Sequence, residues 1–409
     1  MKPATAAAQS LLSAGAVRQR CQQMLALGLA GKLQHFRVEP DRLEAAAELV
    51  IATTRERYPT LEVPFHSRWR HFTVDDEDRW AELDRATAWT NAAERARAAF
   101  DLAIVSVLID AGAGSGWAYR DRRTGKAIAR SEGLALASLE MFANGAFSGD
   151  RSRPLRVDAA ALAELTPAAL SQHLQITAGN RLPGIDGRLG LLKRLGEVVA
   201  GNPAVFGESG RPGGLYDRLA AGADGNTLTA TRILAEVLAH LGPIWPSRLE
   251  LAGVALGDCW QHPALVTADA TSGLIPLHKL SQWLSYSLIE PLQAAGLVVA
   301  DIDGLTGLAE YRNGGLMLDT GVLLLREPAA ASVAHDVGSS LIVEWRALTV
   351  ALLDRLAETV RRRLQMDARS LPLSRILEGG TWAAGRRLAA ELRPYGAPPL
   401  TVVSDGTVF

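Results

Sequence analysis

Apolar residues recur every three or four positions along most of the chain, which is the period of an amphipathic helix. Phe100, Ile104 and Val107 show this spacing in one of the clearest segments. The pattern predicts helices over residues 1–30, 42–56, 92–110, 131–144, 158–173, 187–201, 226–241, 277–295, 339–365 and 373–392. Helices therefore account for most of the predicted secondary structure.

Strand signals are short and lie between these helices. They predict small β segments over residues 117–130, 248–256, 314–325 and 400–409, with turns at 123–125 and 405–406. The candidate linkers, 201–214 and 327–332, are too short and too apolar to require a domain boundary. The sequence therefore predicts a mainly α fold with small β hairpins. We expect one α-rich domain over residues 1–409, with an N-terminal helical segment over 1–60. A subdivision near residue 205 is the alternative.

Composition supports a folded protein and excludes several classes. Of 409 residues, 48% are hydrophobic and 21% are charged, which is enough for a substantial core. The 43 basic and 44 acidic residues give no overall field for holding nucleic acid or a membrane surface. Two cysteines, Cys21 and Cys259, are too few for a disulfide framework, which favours a reducing cytoplasmic setting. The absence of acidic residues before Glu39 leaves a mitochondrial presequence as the alternative.

The common catalytic motifs are missing. The sequence has no GxxxxGK[ST] loop, no HExxH and no GxSxG. The glycine-rich run ending at Gly116 follows a predicted helix, whereas a dinucleotide-binding loop links a strand to a helix. Of eight histidines only His66 and His71 are close in sequence, and two arginines separate them. We therefore expect no metal and no organic cofactor.

Several polar residues lie in apolar surroundings and are the candidates for chemistry. Basic and aromatic residues alternate from His66 to Phe72, which suits an anion or a flat ring, or an anchored surface segment. Asp258, Trp260 and His262 can line a pocket, although a turn capped by Asp258 is the alternative.

A third candidate segment begins at His278. His278 and Ser281 are three positions apart, as are Lys279 and Gln282, so each pair shares a helix face. Trp283 follows directly. An ordinary helix start with polar residues is the alternative interpretation.

Two further segments carry opposite charges in apolar contexts. Glu310 and Arg312 precede a double glycine, and Glu344 and Arg346 lie in a helix that is apolar on nearly every side. Buried charges are costly unless they are paired. Glu310 with Arg346, or Glu344 with Arg312, are the candidate pairs, and a structural ion pair is the alternative to a catalytic one.

The same segments, taken together, resemble the uracil catabolism protein 4 family. The resemblance extends from about Pro64 to the C-terminus. It is carried by His66-Ser-Arg-Trp-Arg-His-Phe72, Ser131-Glu-Gly-Leu-Ala-Leu136, Ile244-Trp-Pro-Ser-Arg248, His278-Lys-Leu-Ser-Gln-Trp283, Glu310-Tyr-Arg-Asn-Gly-Gly315 and Glu378-Gly-Gly-Thr-Trp382. It implies a role in a pyrimidine-degrading route that passes through ribosylated intermediates and releases urea.

A second resemblance, over about half the chain, is to the queuosine salvage proteins, which are N-glycosylases of a nucleoside 5′-phosphate. It is carried by Gly133-Leu-Ala-Leu-Ala137, Lys279-Leu-Ser-Gln282, Glu310-Tyr-Arg312, Gly338-Ser339 and Glu344-Trp-Arg-Ala347. It implies a DNA-glycosylase-like fold and a C–N bond cleavage. This chain has Glu310 where that family has aspartate.

Together the resemblances imply an N-glycosidase that hydrolyses the ribosyl C–N bond of a ribosylurea-type intermediate, with or without a 5′-phosphate. Glu310 is the expected catalytic carboxylate, with Glu344 as its partner or co-catalyst. The other expected contacts to the ribosylated small molecule are Asp258, Trp260, His278, Lys279, Gln282, Trp283, Arg312 and Arg346. We expect no nucleic-acid or membrane partner.

Two other functions remain open from the sequence. One is a binding or assembly protein of the same pathway, with a pocket that holds a ribosylated intermediate without cleaving it. The other is a transferase that uses a phosphoribosyl donor, although the TGGT-type phosphate loop of such enzymes is absent.

Overall fold

The computed structural model describes residues 3–110, 116–245 and 249–403, and helices dominate them. The α-helices are α1 (Pro3–Ser10), α2 (Ala14–Leu29), α3 (Leu43–Arg57), α4 (Arg79–Ala86), α5 (Ala92–Ile109), α6 (Arg130–Ala143), α7 (Ala159–Glu164), α8 (Pro167–His173), α9 (Ile185–Ala200), α10 (Pro203–Phe206), α11 (Gly214–Ala221), α12 (Ala230–Leu241), α13 (Lys279–Ala294), α14 (Tyr311–Asp319), α15 (Ser340–Leu364), α16 (Leu373–Ile376) and α17 (Trp382–Leu392). A π-helical turn, Leu377–Thr381, joins α16 to α17.

The strands are two or three residues long and pair only in twos within the described residues. They are β1 (Phe36–Val38), β2 (Thr73–Val74), β3 (Glu77–Asp78), β4 (Ala118–Arg120), β5 (Ala127–Ala129), β6 (Thr227–Thr229), β7 (Glu250–Leu251), β8 (Val254–Ala255), β9 (Cys259–Gln261), β10 (Leu274–Pro276), β11 (Val298–Ala300), β12 (Leu323–Leu325), β13 (Ala334–Asp336) and β14 (Thr401–Val403).

Five of the strand pairs are antiparallel: β2–β3, β4–β5, β7–β8, β9–β10 and the long-range pair β1–β12. The pairs β6–β11 and β13–β14 are parallel. The prediction of a mainly α fold with small β hairpins is confirmed. The DNA-glycosylase-like arrangement stays a prediction.

The described residues fall into two compact units. The first consists of residues 3–66, 249–282 and 301–403, and the second of residues 67–110, 116–245 and 283–300. Residue 205 lies inside the second unit. The prediction of a single domain stays a prediction.

Helix α15 forms the centre of the first unit. Its N-terminal half is buried on every side, from Leu341 to Leu353, and α2 and α3 pack against it. The hydroxyl of Ser339 caps the helix, and Gln365 ends it in a left-handed backbone conformation (φ 55°). A helix with apolar residues all round is stable only when neighbouring helices surround it, as they do here.

Helix α5 has the same role in the second unit. Asn91 caps its start by accepting a hydrogen bond from the Glu94 backbone N–H at 2.8 Å. Every residue from Ala98 to Ile109 is buried, and α6, α9 and α11 pack against the helix. The predicted helix over residues 92–110 therefore matches α5 almost to the residue.

Several predicted elements need correction. The described part of the helix predicted over residues 1–30, residues 3–30, forms two helices, because Ser13 caps a new helix after α1. Thr166 and Pro167 likewise start α8 and divide the helix predicted over residues 158–173. The strand pair predicted over residues 314–325 is wrong. Its first half belongs to α14, and only β12 is a strand, which pairs with β1 far away in sequence.

Two remaining predictions concern the chain ends and membranes. The predicted β segment at the C-terminus is present as β14, and the turn at residues 405–406 lies outside the described residues. Residues 246–248 of the phrase beginning at Ile244 also lie outside them. None of the described helices is both long enough and apolar enough to cross a bilayer.

Candidate functional site

Glu310 lies immediately before α14 and caps the helix with its own side chain. Oε2 accepts a hydrogen bond from the Arg312 backbone N–H at 2.7 Å, and Oε1 accepts one from the Asn313 N–H at 2.5 Å. Glutamate is an uncommon N-cap residue, since serine, threonine, aspartate and asparagine reach these N–H groups more easily. Each carboxylate oxygen keeps a second lone pair for another donor.

Burial raises the pKa of Glu310 to about 7. The Asn313 N–H, the Lys279 charge and the His66 imidazole act in the opposite direction and lower it, but desolvation is the larger effect. The carboxyl group is therefore close to half-ionised at neutral pH. A group in that state can both accept and donate a proton.

Close helix packing fixes the position of this carboxylate. A side chain at Gly385 of α17 would overlap with the backbone carbonyl of Arg312 in the first turn of α14. A side chain at Gly314 would overlap with the ring of Trp345, whose Nε1 donates to the Gly314 carbonyl at 3.1 Å. The two glycines allow α17 and α15 to approach the start of α14 closely.

Lys279 is the first residue of α13, and its backbone N–H donates to Asp258 Oδ2 at 2.9 Å. This contact holds the start of α13 in place. The charge of Lys279 is one of those that act on Glu310. The structure therefore brings together two of the residues predicted from the sequence.

A third group that acts on Glu310 is His66, which begins the basic and aromatic segment singled out in the sequence. His66 Nδ1 lies 2.8 Å from Glu378 Oε2, and both side chains are at least nine-tenths buried. The phrase containing Glu378 carried the family resemblance, but no role was predicted for it. Its position on a π-helical turn is the structural signal, since such turns occur often at functional sites.

Asp258 has a different environment. Nη1 and Nη2 of Arg346 donate to its two oxygens at 3.0 and 2.9 Å, and Trp260 Nε1 donates at 2.6 Å. The Arg346 charge and these hydrogen bonds outweigh burial and hold the pKa of Asp258 at about 2. Arg346 therefore pairs with Asp258 and not with Glu310, which corrects the first of the two predicted ion pairs.

The second predicted ion pair is also absent among the described contacts. Glu344 Oε1 accepts the backbone N–H groups of His35 (3.1 Å) and Phe36 (2.8 Å), and Oε2 lies 3.4 Å from His262 Nε2. Arg312 donates instead to the Gly396 carbonyl at 3.0 Å and lies over the Tyr311 ring.

These contacts explain what Glu344, Arg312 and Arg346 do for the fold. Glu344 is two positions before Arg346, so the two side chains leave α15 in different directions. Glu344 fixes the start of β1, and each arginine has an acceptor of its own. A catalytic role for Glu344 and phosphate binding by the arginines stay predictions, and their surroundings do not favour them.

Two other predicted binding residues are engaged within the first unit. His278 Nε2 lies 3.0 Å from the Leu11 carbonyl, and burial lowers the pKa of this imidazole. Gln282 and Thr306 are joined twice: Gln282 Nε2 donates to Thr306 Oγ1, and Thr306 N–H donates to Gln282 Oε1. Their contacts connect segments of the fold, and ligand binding by these residues stays a prediction.

Trp283 belongs to the second unit, where it lies beside a buried arginine. The Arg68 guanidinium is 5.5 Å from the Trp283 ring centroid and 3.1 Å from the Asp110 carboxylate. Ser106 accepts a hydrogen bond from Arg68 Nε at 2.6 Å, and the His71 ring centroid is 5.8 Å from that of Trp283. The basic and aromatic residues singled out in the sequence thus form a buried cluster.

The described part of the chain contains no group of three or more histidine, cysteine, aspartate or glutamate side chains placed to hold a metal ion.

Fold and site together define a mainly α protein with a partly buried carboxylate, Glu310, whose hydrogen-bond partners among the described residues are backbone N–H groups. The chain belongs to the family described as "Protein of unknown function (DUF1688)", whose model matches residues 10–409. It is 38% identical to Protein urg3 of Schizosaccharomyces pombe over 98% of both chains. It is 37% identical to Uracil catabolism protein 4 of Lachancea kluyveri over 93% of both chains. The family membership expected from the sequence is confirmed.

Proposed function

We propose that this protein acts in uracil catabolism and hydrolyses the ribosyl C–N bond of a ribosylurea-type intermediate. Two findings support the proposal. A relative that matches nearly the whole chain is named for uracil catabolism. Glu310, a partly buried carboxylate that two N–H groups of α14 hold in place and whose pKa is raised to about 7, is the observation that carries the choice of reaction.

The reaction needs a carboxylate of this kind. Cleaving the bond between C1′ and nitrogen builds positive charge on the sugar, and a nearby carboxylate stabilises that charge. A water molecule adds its hydroxyl to C1′, and its proton passes to Glu310. The departing nitrogen then takes up that proton, so that ribosylurea and water become ribose and urea.

The environment of Glu310 suits both halves of this proton transfer. The N–H groups of Arg312 and Asn313 orient the carboxylate, and each oxygen still has a lone pair. A pKa near the working pH makes a group efficient both as a base and as an acid. Lys279 supplies a positive charge near the carboxylate and is our choice for contacting an anionic or polar part of the substrate.

Urea release from purified protein tests the proposal. We expect ribosylurea, or its 5′-phosphate, to give equal amounts of urea and free sugar with no other reactant, measured by a coupled urea assay and by NMR of the sugar. Comparing the two substrates decides whether the phosphate is required.

The alternatives give different results in the same assay. A phosphoribosyl transferase would release urea only after pyrophosphate is added to the phosphorylated substrate. A binding protein would retain ribosylurea in equilibrium dialysis and release no urea. Either outcome would overturn the hydrolase proposal.

A further inference from the structure

The second unit contains a cavity of about 150 Å³ that is open to solvent on one side. Small residues supply much of its lining. They are Ala92, Ala96 and Ala99 on one face of α5, Pro291 and Ala294 of α13, and Ala295 directly after α13. Because these side chains are short, they leave space that larger residues at the same positions would fill.

Two tryptophans form adjoining walls of the cavity. The ring centroids of Trp69 and Trp80 are 5.3 Å apart, and the two ring planes make an angle of 54°. Trp69 is anchored, since its Nε1 donates to the Ser287 carbonyl at 2.7 Å. Within α13 that carbonyl has no usual partner, because Pro291, four residues later, lacks an N–H. The proline thus provides the acceptor that fixes one wall.

The charged residues of the lining balance one another. Two arginines, Arg70 and Arg95, accompany two acids, Asp78 and Glu290. Arg70 Nη2 donates to Glu290 Oε1 at 2.5 Å, and this contact is the one described hydrogen bond of a side chain with five N–H donors. About 29% of the Arg70 side chain is exposed. The balance favours a neutral ligand, and Arg70 has donors left to bind it.

We propose that this cavity binds a neutral, flat six-membered ring that carries a carbonyl oxygen, with the ring against the tryptophans and the oxygen at Arg70. A cavity of about 150 Å³ is large enough for one benzene ring. Indole faces stack on flat rings, and a ring carbonyl accepts a hydrogen bond from a guanidinium. The competing explanation is a solvent-filled gap.

This binding site does not depend on the proposed hydrolysis. Every residue that lines the cavity belongs to the second unit, whereas Glu310 belongs to the first. Urea release and ring binding are also measured in separate assays. Either proposal can therefore fail while the other stands.

Two fluorinated probes test the proposal by ¹⁹F NMR titration of the full chain. 5-Fluorouracil has ring carbonyls, whereas fluorobenzene offers a ring without a carbonyl. We expect 5-fluorouracil to bind with a Kd of about 1 mM or tighter, and fluorobenzene to bind more weakly. A protein that binds no 5-fluorouracil at roughly 10 mM, or that binds fluorobenzene as tightly, would overturn the proposal.

Filling the cavity should abolish binding. Ala96→Met places a longer side chain in the space and should weaken both probes at least about tenfold. Ala93→Met is the matched control, because it makes the same change on α5 at a residue that does not line the cavity, and it should leave both Kd values unchanged. Trp80→Leu removes one wall at a partly exposed position and should also weaken both probes about tenfold.

Arg70→Gln separates recognition of the carbonyl from recognition of the ring. It should weaken 5-fluorouracil about fivefold or more and leave fluorobenzene unchanged. An equal effect on both probes would overturn the role of Arg70. Unchanged binding of 5-fluorouracil to folded Ala96→Met and Trp80→Leu proteins, with folding checked by circular dichroism, would mean that the ring binds elsewhere and would overturn the site.

Discussion

Asp258 and Glu310 each accept backbone N–H groups at the start of a helix, yet their surroundings give them opposite properties. Asp258 is buried, accepts the first N–H of α13 and accepts hydrogen bonds from both terminal nitrogens of Arg346. Glu310 is partly buried and accepts two N–H groups of α14, and Lys279 and His66 also act on it electrostatically. The pKa of Asp258 is about 2, and that of Glu310 is about 7.

The difference explains why we assign a structural role to Asp258 and propose a reactive one for Glu310. Burial raises the pKa of both groups, and helix N–H groups lower it in both. Of these two carboxylates, Asp258 is the one with a guanidinium in direct contact among the described residues. A carboxylate locked by an arginine cannot exchange protons at neutral pH, whereas one that lacks such a partner can.

The largest effect is expected from Glu310→Gln. An amide neither accepts a proton nor offsets positive charge on the sugar, so urea release should fall on the order of a hundred- to ten-thousand-fold. The shape is nearly unchanged, so ribosylated ligand should still bind. At about pH 4, where Glu310 itself is protonated, the melting temperature should stay close to that of the unmodified protein. Glu310→Asp should be milder, because aspartate caps helices well and keeps the charge.

Asp158→Asn is the control for the capping role. Asp158 is also buried and accepts the backbone N–H groups of Ala161 (3.1 Å) and Gly149 (2.8 Å) at the start of α7. This variant should keep full activity per molecule. If Glu310→Gln instead lowers the melting temperature and retains full activity, Glu310 only caps its helix and the chemistry lies elsewhere.

In contrast to Glu310→Gln, Asp258→Asn should lower the stability of the protein. It leaves the Arg346 charge buried without its carboxylate, and the loss of one partner in a buried pair costs roughly 3–5 kcal/mol. Chemical denaturation should show a lower free energy of unfolding. The double variant Asp258→Asn, Arg346→Met should recover part of the loss, since neither charge remains. A single variant as stable as the parent would contradict the structural role.

The two carboxylates should also give opposite pH dependences of stability. The folded protein holds the Glu310 proton more tightly than the unfolded chain does, so stability should fall as the pH rises from about 4.3 to 7, by up to about 3 kcal/mol. Asp258 has a lowered pKa, so its contribution is present above about pH 3.9 and is lost as the pH falls towards 2.

Denaturation curves across this pH range, for the unmodified protein and for Glu310→Gln, isolate the first effect. The variant should lack the fall in stability between about pH 4.3 and 7. Identical curves for both proteins would mean that Glu310 does not hold a proton more tightly in the folded state.

The smallest effect is expected at an exposed ion pair. Glu44 of α3 contacts Arg362 and Arg363 of α15, and about half of its side chain is exposed. Solvent and salt screen such pairs. Glu44→Gln should leave the melting temperature and the activity within experimental error. A loss comparable to that of Asp258→Asn would mean that pairing to arginine, and not burial, sets the importance of a carboxylate here.

Much of the helical fold could be predicted because helices form from local periodicity. The predicted segments 42–56, 92–110 and 339–365 correspond to α3, α5 and α15. The predicted strand pair over residues 314–325 failed, since a short apolar run fits a buried helix as well as a strand. In the first half of that segment, the Glu310 cap and the packing of Gly314 against Trp345 stabilise helix α14.

The sequence by itself determined the helical class and the family, because each of these rests on local composition or on a continuous phrase. The choice of Glu310 and Lys279 as site residues stays a prediction. Only the tertiary structure decided which buried charges meet. Arg346 pairs with Asp258, which is 88 positions away in the sequence, and His66 contacts Glu378, which is 312 positions away. Spacing along the chain carries no information about such contacts, because they depend on how separate helices and turns pack in space.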